Sequence, residues 1–134
     1  MEDRRTFLGL AAALLPAGLA AQAPPAPASA APRELARHTL TGPLEAFDVV
    51  LIELKPGPGA GRDHKHTGPV LGYVVDGQIR FGVDHGPEQI IAAGNTFFEP
   101  TGVIHSTFGS ANANTARVLA FMVVPKGNSG TVPA

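Results

Sequence analysis

The chain contains no cysteine. That excludes disulfides, Cys-ligated zinc, iron–sulfur clusters, thiol catalysis and a lipoprotein anchor. A surplus of charge is missing too. Ten basic residues against 11 acidic ones leave a net charge of −1, which speaks against a broad cationic surface for nucleic acid. Helix signals are scarce, and residues 33–38 carry only a weak one. No Ser-His-Asp arrangement, phosphate loop or nucleotide fingerprint is present.

Glycine (16) and proline (13) are plentiful among the 134 residues. Such a composition suits short strands joined by turns, and the length suits one domain.

Residues 1–30 stand apart. Arg4 and Arg5 precede an apolar run from Phe7 to Leu15, which Pro16 breaks and which resumes to Ala21. The run is short and Ala-rich for a membrane span, which needs about 20 strongly apolar residues. Asp3-Arg4-Arg5-Thr6-Phe7-Leu8 resembles the twin-arginine export signal; small-residue cleavage patterns stand at Gly18-Leu19-Ala20 and Ala28-Ser29-Ala30, and cleavage is expected after Ala20, Ala21 or Ala30. The expectation is an exported protein, periplasmic or secreted, with no stable membrane span after cleavage. Residues 22–32 are nearly all Ala and Pro and read as a flexible tether. The expected organisation is a signal and tether at 1–30, a lead-in at 31–45, one domain at 46–125 and a flexible tail at 126–134.

Within the domain, strands are expected at Ala46–Leu54, Leu71–Val75, Gln78–Val83, Gln89–Ala92, Thr96–Glu99, Val103–Phe108 and Arg117–Val124. Asp76-Gly77 between two apolar runs reads as a hairpin turn. About eight strands at this spacing make an all-β sandwich or barrel.

Five histidines are present. On a strand, His64 and His66 point to one face with Cα atoms about 6.5–7 Å apart, so both can reach one ion. His105 follows a Pro-Thr-Gly turn on another strand. Three neutral nitrogens from two strands can hold a metal and leave positions open. His38 and His85 read as solvated.

These residues resemble the cupin family. Its first motif is Gly, five residues, His-x-His, three or four residues, Glu, six residues, Gly. Here Pro58 stands in the opening Gly slot, His64-Lys65-His66 follows five residues later, Val70 stands in the Glu slot and Gly77 closes the motif. The second motif is Gly, five residues, Pro-x-Gly, two residues, His, three residues, Asn. Here it runs from Gly94 through Pro100-Thr101-Gly102 and His105 to Gly109, which replaces the Asn. The resemblance implies a cupin-type double-stranded β-helix, or jelly-roll barrel. It also implies His64, His66 and His105 as ligands of one divalent metal (Fe, Mn, Ni, Cu or Zn) and a homodimer.

Val70 cannot ligate a metal. Three imidazoles alone would leave the ion's +2 charge uncompensated and favour hydroxide or an anionic substrate group. Glu99 is the nearest acidic candidate: a ligand, a partner to a His N–H, or a solvated group. Tyr73, the only tyrosine, is a candidate hydrogen-bond donor to a small-molecule ligand. Its other reading is an interface or rim residue. Two functions remain open: a mononuclear non-haem oxygenase of the dioxygenase type, or a non-catalytic cupin that binds a metal or small molecule.

Overall fold

The structure, a computed structural model, describes residues 24–25 and 27–134. The candidate export signal lies outside them. Ten strands form two five-stranded sheets. In chain order they are β1 (Ala30–Thr39), β2 (Phe47–Lys55), β3 (His64–His66), β4 (Val70–Asp76), β5 (Gln78–Val83), β6 (Gln89–Ala92), β7 (Thr96–Glu99), β8 (Ile104–Ser110), β9 (Arg117–Pro125) and β10 (Thr131–Pro133). One sheet has the order β1-β2-β9-β4-β7 and the other β10-β3-β8-β5-β6. All the ladders between strands are antiparallel. This is the all-β double-stranded β-helix that the motifs implied.

The seven expected strands all form, within a residue or two. They hold together because period-2 alternation aims alternate side chains between the sheets. Val50, Val74, Ile79, Val118 and Val124 are fully buried there. Phe97 stacks against Phe81 with ring centroids 4.8 Å apart, and Gly72 lies under the Phe97 ring, where a Cβ would not fit.

Four expectations change. The weak helix signal at 33–38 falls inside β1. Strand pairing overrides helix propensity here: β1 pairs with β2 from Ala30↔Lys55 to Thr39↔Asp48. Arg33 and Arg37 add ion pairs to Glu53 and Asp48 on β2.

The flexible tether and tail are also revised. From Pro27 the chain packs as a strap against the Lys55–Gly57 segment. The Gly57 N–H donates to Ser29 Oγ at 2.8 Å, and the strap runs so close that a Cβ on Gly57 would lie 2.9 Å from the Ser29 nitrogen. At the other end, Thr131–Pro133 pairs with His64–His66 as an edge strand.

Asp76-Gly77 does not close a hairpin. It carries the chain from β4 in one sheet to β5 in the other. Only Gly77 has positive φ (76°) there. The hairpin lies one strand later, between β5 and β6. There Asp84 and His85 have φ of 50° and 55°, and the Gly86 N–H donates to the Val83 carbonyl at 2.9 Å. Two successive left-handed residues inside such a bond are the type I′ pattern.

Candidate metal centre

The period of the strand sets the site. His64 and His66 share a face of β3, and the β3–β8 ladder places His105 directly opposite His64. The His64 ring lies 4.9 Å from both the His66 and His105 rings, centroid to centroid. One ligand atom from each of the three lies within 4.8 Å of the others. His105 is buried, while His64 and His66 are half-buried.

Backbone carbonyls fix the orientation of two of these rings. His64 Nδ1 is 2.8 Å from the Arg62 carbonyl oxygen. His66 Nδ1 is 3.2 Å from the Gly130 carbonyl oxygen and 3.2 Å from Thr131 Oγ1. With Nδ1 donating to the carbonyl, Nε2 keeps its lone pair for another partner. Burial holds the His66 imidazole below its ordinary pKa range, with the Glu99 charge pulling the other way. A neutral ring is the form that ligates. Nothing in the sequence points to the Arg62 and Gly130 carbonyls, because the β10–β3 pairing that delivers Gly130 is non-local.

His105 has no such anchor. Both its nitrogens are buried without a hydrogen-bond partner, and so is Glu99 Oε1. Glu99 is 1% exposed. Its Oε1 is 2.9 Å from His105 Nδ1 and its Oε2 is 3.6 Å from His66 Nε2. A cluster of imidazoles with orphaned buried polar atoms fits a divalent cation: buried polar groups need partners, and an ion is one. The donor set suits Fe, Mn, Ni, Cu or Zn.

The three histidines and Glu99 line one cavity of about 580 Å³. Its walls are mainly apolar and include Ile52, Leu54, Val70, Phe97, Phe108 and Met122. Lys55 and Arg62 line it too, as do Ser29, Ala30 and Pro32 of the strap. Alternation along β2 hints that Ile52 and Leu54 share a face. The face that looks inward is not legible, because Val49 and Leu51 on the other face are apolar as well.

Tyr73 is not brought to this site. It lies on the opposite face of β4 from Val70 and Gly72 and is 43% exposed. It stands beside Leu71, Phe98 and Phe121 on the outer face of the sheet. His85 is exposed, as expected, and pairs with Asp63 at 3.0 Å. His38 is exposed on β1.

The two sheets and the histidine cluster define a β-barrel with three histidines placed where they could hold a metal ion. The cupin-domain family matches residues 50–124; the chain belongs to the cupin family. No curated protein matches it in sequence. Among solved structures it is similar to a cupin-like protein from Thermotoga maritima, at 18% identity and TM-score 0.57, covering 77% of this chain and 74% of that one. A conserved Klebsiella pneumoniae protein with a double-stranded β-helix domain is similar at 19% identity and TM-score 0.56, covering 83% and 88%. An oxalate oxidase is similar at 22% identity and TM-score 0.51, covering 66% of this chain but only 46% of the oxidase. At these identities the likeness shows the fold alone.

Proposed function

We propose that this chain is an exported metal-binding cupin, acting as a mononuclear non-haem oxygenase of the dioxygenase type on a small organic anion. The observation that carries this reading is three imidazoles converging on an apolar-walled cavity of about 580 Å³. His64, His66 and His105 would hold the ion. Bound there, it would supply Lewis acidity and, if redox-active, one-electron chemistry with O₂.

The chain's own residues shape the rest. The apolar walls exclude water and bury the hydrocarbon part of the ligand. Lys55 and Arg62 line the same cavity, and among the described residues neither takes part in an ion pair. They suit a carboxylate or similar anionic group. A dioxygenase places both atoms of O₂ in its product and needs no external reductant.

The test is metal content per chain by elemental analysis. His64→Ala, His66→Ala and His105→Ala should each lose most of the bound metal, and His85→Ala should lose none. Wild-type content in the three His variants would overturn the metal site. Oxygen uptake with small organic acids then separates enzyme from binder. Intact metal with no uptake favours the second reading, a metal- or ligand-binding cupin without catalysis.

The proposal includes a homodimer. Leu71, Tyr73, Phe98 and Phe121 are 51%, 43%, 59% and 45% exposed, and the ladders place Leu71 beside both Phe98 and Phe121. A second copy would cover this apolar face. Light scattering should give twice the chain mass at micromolar concentration; the mass of one chain would count against the dimer.

A further inference from the structure

We infer that Glu99 supplies the carboxylate of this metal site, taking from β7 the role that the cupin motif gives to the position Val70 holds. This rests on the metal-binding reading above. Val70 and Glu99 are direct partners in the β4–β7 ladder. Both are buried, at 2% and 1% exposure. Directly opposed residues in such a ladder have Cβ atoms about 5 Å apart. A carboxylate moved from one to the other therefore stays in the same part of the barrel. The motif's acid is displaced by one strand.

The surroundings of Glu99 fit a ligand better than a structural acid. Among the described residues it has no arginine or lysine partner; its neighbours are His66 and His105. Oε1 and His105 Nδ1 are only 2.9 Å apart, yet neither makes a hydrogen bond. The two groups are close but not aligned donor to acceptor. A shared cation satisfies such a pair, because each atom then directs its lone pair at the ion. The Pro100-Thr101-Gly102 turn joins β7 to β8, so one short connection sets both Glu99 and His105.

The added carboxylate also changes what the site prefers. Imidazole alone suits Ni, Cu and Zn, whereas carboxylate oxygen favours harder ions such as Mn²⁺. With Glu99 included, the charge left on a divalent ion falls from +2 to +1.

The experiment measures Mn²⁺ and Ni²⁺ binding by titration calorimetry on the wild type, Glu99→Gln, and the swap Val70→Glu/Glu99→Val. Circular dichroism checks that each variant is folded. Glu99→Gln should weaken Mn²⁺ about 100-fold or more and Ni²⁺ less than about 10-fold, because the lost ligand is the hard one. The swap should return Mn²⁺ affinity to within about 10-fold of wild type. If Glu99→Gln keeps Mn²⁺ affinity within about threefold, the proposal fails: a neutral amide oxygen can replace a carboxylate that only accepts a hydrogen bond from His105, but it is a much weaker ligand to Mn²⁺ than a carboxylate. If the wild type binds neither ion, the metal-binding reading falls, and this one with it. If the swap does not fold, the Glu99→Gln result decides alone.

Discussion

Buried acids occur in two kinds of surroundings in this molecule. Asp48 and Glu53 on β2 are 2% and 5% exposed, and both are fully partnered. Asp48 accepts from the Gly127 N–H at 2.9 Å, Arg37 at 2.8 Å and Thr39 Oγ1 at 2.9 Å. Glu53 accepts from Arg33 and Arg117, each at 2.7 Å. Glu99 is buried as deeply, yet it has an orphaned oxygen, and among the described residues only histidines lie within ion-pair distance. Strands β1 and β9 bring arginines to the β2 acids as part of building the sheet. Among the described residues, no arginine or lysine pairs with Glu99. Where compensation is complete, an acid can be explained by the fold. Where it is missing, the fold has left room for something else.

The largest expected effect comes from removing the compensated charges. The bonds from Gly127 and Arg37, then Thr39, hold Asp48 at about 2. Those from Arg33 and Arg117 hold Glu53 at about 2. Both values lie below the unfolded ones, near 4. The unfolded chain therefore binds more protons in between. The stabilisation is complete above about pH 4.5 and is lost as pH falls toward about 2. Thermal melts should show the midpoint dropping across this window. Asp48→Asn with Glu53→Gln should lower the midpoint at pH 7 and flatten the acid dependence. An unchanged acid profile would show that these pairs contribute nothing.

A smaller effect of opposite sign is expected at the uncompensated acid. In metal-free protein, Glu99→Leu should melt as high as wild type or higher, because it removes a buried group without a partner. The same variant should lose most of the metal-induced rise in melting temperature. A marked drop without metal would place Glu99 with the structural acids and erase the contrast.

The smallest effect belongs to a redundant partner. Arg33 has a side chain 68% exposed, and Arg117 still holds Glu53 without it. Arg33→Ala should cost less than about 1 kcal/mol in a denaturant titration, as exposed ion pairs usually do. A larger loss would mean that Glu53 depends on both arginines at once.

Much of this contrast was hidden in the sequence. The histidine triad was legible because its geometry is local: His64 and His66 share a strand face, and a turn of fixed spacing precedes His105. Glu99 could be named as a candidate from its place before Pro100, but its role depends on lying opposite Val70, and β4–β7 register cannot be read from either strand alone. Asp76-Gly77 misled for a related reason. Asp-Gly can close a hairpin, but whether the next strand joins the same sheet depends on partners far along the chain. Arg33-Glu34-Leu35-Ala36-Arg37 carries helix-compatible residues and becomes a strand only because β2 offers an open edge. Tyr73 was singled out as the only tyrosine, a fact of composition that says nothing about which face of β4 it occupies.

If the chain is exported as proposed, the strap from Pro27 to Pro32 would connect secretion with ligand access. Ser29, Ala30 and Pro32 belong to the cavity wall, and the first two lie within the small-residue cleavage pattern that ends at Ala30. Processing after Ala20 or Ala21 would keep the wall whole. Processing after Ala30 would remove Ser29 and Ala30, free the Gly57 N–H and open the cavity along that side. The two mature proteins would share every metal ligand and differ in the size of molecule they admit. The peptidase's choice of bond would then set substrate range, and the first residue of the mature chain would report it.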